Sequence, residues 1–232
     1  MDESDRGAQE STRDYARRLL REDITSMHLR PGEKVSENEL AQKYGVSRTP
    51  VREALMDLAR YHVVEVLPQR GSRISLIDFE LVEEARQVRE LMELAILPLA
   101  CARATEEDIR RLRHNVHLQQ LTEDESWDDT LSLMDLDNEF HRLLFKIARR
   151  ENMQRLLQDI SIHFDRVRSL TLEVVKERKL IADHLEICDA VARRDADYAC
   201  EKMKKHLNRV HLDARRVMEV YPQYIAGNAP RG

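Results

Sequence analysis

No glycine occurs between Gly71 and Gly227, and Pro98 and Pro222 are the only prolines in that interval. Gly and Pro are the residues that most often end helices and shape turns, so the last two thirds of this 232-residue chain are confined to nearly continuous helix. The apolar period there is helical and predicts six helices, at about 80–103, 105–123, 127–149, 151–174, 176–193 and 196–219. Thr105 and Asp195 are the expected N-caps, and Trp127 and Asp128 the expected start of the third of these helices. Neither an internal repeat nor a sustained heptad run is present, so a bundle is expected rather than a solenoid or a coiled coil.

The first third is punctuated differently. Tyr15, Leu19, Leu20, Ile24 and Met27 recur at helical spacing from Ser11 to about Met27, and Pro31-Gly32 closes that helix. Ser36-x-x-Glu39 has the form of a capping box for a short second helix running through Lys43. Gly45 sits where a helix end calls for a left-handed residue. Ser47 is placed to cap a third helix, Arg48 to about Tyr61, with Pro50 in its tolerant first turn. The β-prone runs 63–67 and 72–76, split by Pro68-Gln69-Arg70-Gly71, read as a hairpin. The fold class expected is therefore mainly α: a winged helix-turn-helix over residues 1–76, then an all-α antiparallel bundle over 77–232.

Composition restricts the function further. With 42% apolar and 35% charged residues the chain can build a core, and no stretch approaches the roughly 20 apolar residues that span a bilayer. Met1–Glu10 is acidic and polar, unlike a signal peptide, so a cytoplasmic protein without membrane contact is expected. Cys101, Cys188 and Cys200 are too scattered for a disulfide framework and read as thiols. The net charge of −5 hides an asymmetry. Residues 43–73 hold six basic side chains (43, 48, 52, 60, 70, 73) against three acidic ones (53, 57, 65), whereas residues 76–232 hold 25 basic and 30 acidic. A basic patch on an otherwise acidic protein suits localised contact with phosphates.

That patch contains Val46-Ser47-Arg48-Thr49-Pro50-Val51-Arg52-Glu53-Ala54-Leu55. Arg48 and Arg52 are one turn apart, so both project from one face at the helix's N-terminal end, the part of a recognition helix that enters the major groove. Each guanidinium there can pair bidentately with guanine O6 and N7 or clamp a phosphate, and Thr49 adds a short hydroxyl and a methyl. Val51, Ala54, Leu55 and Leu58 form the opposite, dry side. The stretch resembles the signature of the GntR family of bacterial regulators. That resemblance implies that Arg48, Thr49 and Arg52 contact double-stranded operator DNA and that Arg70-Gly71 at the wing tip enters the minor groove. Two positions depart from the pattern: Asn38 stands where some members carry an operator-contacting Arg, and His62 where a Gly commonly precedes the first wing strand.

In the bundle, Asp137 and His141 are one turn apart and face one way, while His184 and His206 lie on two later helices. One carboxylate and three imidazoles make a good donor set for zinc, nickel or manganese, provided the helices converge. Asp137-Asn138-Glu139-Phe140-His141, Asp183-His184-Leu185-Glu186-Ile187 and Lys205-His206-Leu207 resemble the FadR-type (FCD) ligand-binding domain found in one branch of the same family. The resemblance implies that these four residues are the ligands of a metal site, that the effector is not an acyl-CoA, and that Arg89 helps hold a carboxylate. An ion pair between Arg89 and Glu93 is the alternative for that arginine.

The function expected is a homodimeric repressor or activator whose operator affinity is controlled by a small organic acid bound beside the metal. Two alternatives stand beside it: a metallohydrolase with Glu139 or Glu186 as base, and a metal that is structural or itself the signal. His114-x-x-His117 has no sequence partner to complete a site.

Overall fold

The computed structural model describes residues 10–122, 132–174 and 178–227; the expected helix start at Trp127 and Asp128 lies outside them. Among the described residues the chain forms eleven α-helices and three short strands. In chain order these are α1 (Thr12–Thr25), β1 (Lys34–Val35), α2 (Glu37–Tyr44), α3 (Arg48–Ala59), β2 (Val64–Leu67) and β3 (Gly71–Ile74). Then follow α4 (Phe79–Arg103), α5 (Glu106–Leu121), α6 (Leu133–Ile147), α7 (Glu151–Ile160), α8 (Ile162–Val174), α9 (Arg178–Ala192), α10 (Ala196–Leu207) and α11 (Arg209–Val220).

Two compact units are present. One takes in the chain up to Val82, Ile162–Ser169 and the chain from Met218 on. Its core joins Leu20 and Ile24 of α1, Leu40 and Tyr44 of α2, Val51, Leu55 and Leu58 of α3, Val64 and Ile74 of the sheet, and Ile162. The sheet order is β1-β3-β2, all antiparallel, with Glu65 opposite Arg73 and their charges 2.6 Å apart. A two-stranded hairpin was expected from sequence; the added strand, β1, is two residues long and too short to produce an alternating pattern.

The helix ends of this unit follow local chemistry. Gly45 closes α2 at φ 66°, with its N–H on Gln42 O and that of Val46 on Ala41 O, the paired bonds of a Schellman cap. His62 does the same after α3 at φ 58°, its N–H reaching Ala59 O and that of Val63 reaching Leu58 O. The capping box expected at Ser36 does not form. Ser36 stands at the N-cap, but its side chain makes no cap hydrogen bond; the chain arrives there from β1, whose pairing with β3 sets its direction. Ser47 likewise occupies an N-cap without a side-chain bond.

Ile162–Ser169 is buried on every side and is polar on much of its surface. His163 Nε2 donates to Tyr61 O at 2.6 Å and Ser169 Oγ to Thr25 O at 2.6 Å. Arg166, fully buried, donates through Nη1 to Ser75 Oγ at 3.2 Å and through Nη2 to Ser75 O. Burial draws its guanidinium down to about 10.

The second unit comprises Glu83–Ser161 and Leu170–Val217. Within it α5 packs on α6 and α9, and α9 on α10, over a core that includes Leu112, Val116, Phe140, Leu144, Ile187, Val191 and Met203. Thr105 and Ser132 close capping boxes with Asp108 and Asp135. Pro98 sits inside α4 and cannot donate to Leu94 O one turn back; that carbonyl instead receives the Cys200 thiol at 3.7 Å.

Two helices expected as single pieces are each divided, the first into α7 and α8 at Ser161 and the second into α10 and α11 at Asn208. Both joints keep right-handed dihedrals (φ −68°, ψ −10° and φ −78°, ψ −7°), so neither calls for a Gly or Pro that sequence could reveal.

Candidate metal centre and DNA-contacting face

Helix α3 divides as its sequence dictates. Pro50, Val51, Ala54, Leu55 and Leu58 are buried, and Arg48, Thr49, Arg52, Glu53 and Met56 are exposed. Arg48 is 65% exposed and pairs with Glu37 of α2 at 3.0 Å. Met56, one turn beyond Arg52, extends this open face and was not singled out from sequence, although its i+4 spacing from Arg52 signals it. Arg70 and Gly71 are exposed at the β2–β3 turn, where Gln69 at φ 58° and Gly71 at φ 84° make the reversal. Asn38 lies in the first turn of α2.

The second unit gathers Asp137, His141, His184 and His206. All four are buried, and one ligand atom of each lies within 4.8 Å of every other. Helix α6 supplies Asp137 and His141, α9 supplies His184 and α10 supplies His206. His206 Nε2 is 3.2 Å from His141 Nε2 and 3.3 Å from His184 Nε2. The Asp137 carboxylate reaches His141 Nε2 at 3.7 Å and His184 Nε2 at 3.5 Å. Phe140 stacks on the His184 ring with centroids 4.0 Å apart.

The outer nitrogens of two rings are held. His141 Nδ1 faces Glu93 Oε2 at 2.5 Å, and Glu93 Oε1 accepts from Arg89 Nε at 2.7 Å. His184 Nδ1 faces Gln119 Oε1 at 2.7 Å; Gln119 Nε2 donates to Asn115 Oδ1 at 2.7 Å, and Asn115 Nδ2 to Leu136 O at 3.0 Å. His206 Nδ1 is buried with no hydrogen-bond partner among the described residues. Burial, helped by His184 and His141, holds His206 well below the usual imidazole range. Burial also pushes the Glu93 carboxyl up, but His141 and Arg89 outweigh it and bring it to about 2. Arg89 is therefore a buried cation in ion-pair contact with Glu93 at 2.7 Å.

This donor set fits a divalent transition metal. A neutral ring that donates through Nδ1 presents a lone pair at Nε2, so His141 and His184 both point lone pairs into a space shared with a carboxylate. Two nitrogens held about 2.0–2.1 Å from one tetrahedral ion lie about 3.3 Å apart, which matches the His206 separations.

Other candidates fall away from the centre. His114 and His117 are exposed on α5 and take no part in it. Glu139 pairs with Arg142 at 2.5 Å and Glu186 with Lys202 at 2.6 Å, so neither carboxylate is poised as a base. Glu93 and Gln119, which hold the rings, had no signal of their own in sequence beyond the register that puts Glu93 one turn after Arg89.

Residues 12–74 match the bacterial regulatory proteins of the gntR family, and residues 84–209 match the FCD domain. The chain belongs to the GntR family. It is similar to the HTH-type transcriptional repressor RspR of Escherichia coli (strain K12), with 32% identity over 87% of this chain and 88% of the relative. An HTH-type transcriptional regulator in an unstable DNA locus of Streptomyces ambofaciens is 36% identical over 90% of this chain and 88% of its own. Among solved structures, E. coli McbR/YncC superposes with a TM-score of 0.77 at 18% identity, over 92% of this chain and all of that one, which attests the fold. GntR regulators bind operator DNA, and the family and these relatives are transcriptional regulators rather than enzymes. This GntR chain is thus a transcriptional regulator with a winged helix-turn-helix and an all-helical FCD domain.

Proposed function

We propose that this GntR regulator is a metal-containing homodimer whose operator affinity changes when a small carboxylate binds beside the ion. Residues 1–76 form the reading module and residues 77–232 the sensing and dimerising one. Arg48, Thr49 and Arg52 read the major groove, and Arg70-Gly71 enters the minor groove beside it. Two copies then read an inverted repeat with far more discrimination than one winged helix allows. RspR is a repressor, and repression is the sign assigned here, together with a cytoplasmic location, as suits a protein whose target is DNA.

The observation that supports the sensing half is the convergence of three imidazoles and a carboxylate in the buried interior, a donor set that a cation among them would satisfy. Asp137, His141, His184 and His206 would hold that ion, with zinc the best match and nickel or manganese compatible. When bound, it supplies a Lewis-acidic point to which an effector oxygen can attach. Charge supports an anionic effector. Among the residues named here Asp137 and Glu93 carry −2 and Arg89 +1, so a divalent ion would bring their sum to +1. Arg89, although paired with Glu93, is also the cation assigned to the effector's carboxylate. A ligand acts only if it prefers one of the DNA-competent and DNA-incompetent arrangements.

The test is metal analysis of the purified chain, followed by fluorescence anisotropy on its own upstream DNA with sugar acids, hydroxy acids and dicarboxylates. A bound transition metal and one acid class that shifts the DNA titration are expected. Unchanged operator binding by the R48A/R52A double variant would overturn the reading head, and a metal-free protein indifferent to every acid would overturn the sensor.

A further inference from the structure

The two rings whose outer nitrogens are anchored are held by partners of different kind, and the difference is built from buried atoms. His141 Nδ1 meets a carboxylate, Glu93, that is itself clamped by Arg89. His184 Nδ1 meets an amide oxygen whose orientation is dictated in turn: Leu136 O can only accept, so Asn115 Nδ2 donates to it, Asn115 Oδ1 accepts from Gln119 Nε2, and Gln119 Oε1 is left to accept from the ring. Each ring's Nδ1 thus meets a group that can only accept there, the ionised Glu93 carboxylate on one side and Gln119 Oε1 on the other. Both rings must therefore carry their proton on Nδ1 and keep Nε2 as a lone pair facing Asp137.

We propose that Glu93 and Gln119 are positioning residues of the metal centre, with Glu93 the stronger because a carboxylate both orients the His141 ring and raises its donor power, whereas the Gln119 amide only orients. The inference rests on the reading of the four residues as metal ligands. It assigns Arg89 a second duty, since Arg89 Nε holds Glu93 with its other oxygen toward the ring. Neither Glu93 nor Gln119 belongs to the converging group of four; each acts through a histidine. Partners of this kind commonly alter metal affinity by about 10- to 100-fold when removed.

Zinc affinity of the full-length chain, measured by competition with a chromophoric chelator, tests this. Glu93→Gln leaves one carbonyl for two donors and is expected to weaken zinc at least about 10-fold, and Gln119→Leu to weaken it by less. The half-buried change Glu139→Gln, whose carboxylate pairs with Arg142, should leave affinity unaltered. An E93Q protein within twofold of the unsubstituted chain overturns the proposal while leaving the metal reading intact. An unsubstituted chain that takes up no zinc, nickel or manganese overturns both. Should E93Q not fold, nitrogen-15 NMR of the zinc-loaded unsubstituted chain decides: Nδ1–H signals on both His141 and His184 are expected, and a proton on Nε2 of either ring overturns the assignment.

Discussion

Arg48 Nη2 lies 3.0 Å from Glu37 Oε2, so one of the two arginines on the open face of α3 is engaged by a carboxylate of α2 before any DNA arrives. Both partners are solvent-exposed enough that the pair itself contributes little to stability, about 0–1 kcal/mol. On the proposed reading its consequence is for binding, because Glu37 would release Arg48 and then stand near phosphates of its own sign. Glu37→Ala is expected to raise DNA affinity about two- to fivefold at low salt, within the range of one exposed ion pair. Anisotropy titrations across a salt series check this, and unchanged or weaker binding would refute it.

His62 holds the C-terminal cap of α3 at φ 58°, a conformation that costs an L side chain about 1 kcal/mol and glycine nothing. Glycine's greater freedom in the unfolded chain returns part of that, so His62→Gly should stabilise the protein by up to about 1 kcal/mol. His62→Ala keeps the backbone penalty and should fall below the glycine variant. Urea unfolding of the three proteins gives the order, and an alanine variant at or above glycine sinks the argument.

Which features could be read from sequence follows from how far their causes reach along the chain. Gly45 and Thr105 act within a single turn, and both sit where local chemistry puts them. Asp137 and His141 share a helix, so their common direction is a matter of register alone. β1 is defined only by its partners Ser72 and Arg73, nearly forty residues later, and its two residues carry no period. The joints at Ser161 and Asn208 stay in the right-handed region and leave no breaker to find. Glu93 meets His141 from 48 residues away and Gln119 meets His184 from 65, so only packing of α4, α5, α6 and α9 brings them together. Arg89 was legible as one of two alternatives, and its ion pair with Glu93 is present at 2.7 Å.

Removing the proposed metal should loosen the second unit. An ion that binds only the folded chain stabilises it by about 4 kcal/mol at a thousandfold excess over its dissociation constant. Chelation, or His206→Ala, should therefore lower the melting temperature by several degrees, and zinc should restore the chelated protein but not the variant. Scanning calorimetry with and without added zinc measures it. Identical melting of metal-loaded and chelated protein would mean that the four side chains hold nothing.

The last prediction concerns acid. His163 donates through Nε2 to Tyr61 O while its Nδ1 is buried, and the charged or titratable groups around it are Arg166, His62 and Asp78. Burial lowers its tendency to take a proton, Arg166 and His62 add to that, and the Tyr61 carbonyl and Asp78 oppose it without reversing it. The folded chain thus binds a proton here less readily than the unfolded one, whose histidine titrates near the ordinary value of about 6.5. Stability from this residue is complete above that pH and is lost as pH falls from it toward the lower folded value, with a slope of at most about 1.4 kcal/mol per pH unit. His163→Gln offers an amide donor to Tyr61 O without a titrating ring, so it should flatten the decline in urea stability between about pH 6.5 and 5. An equal slope in both proteins would show that protonation elsewhere governs acid stability.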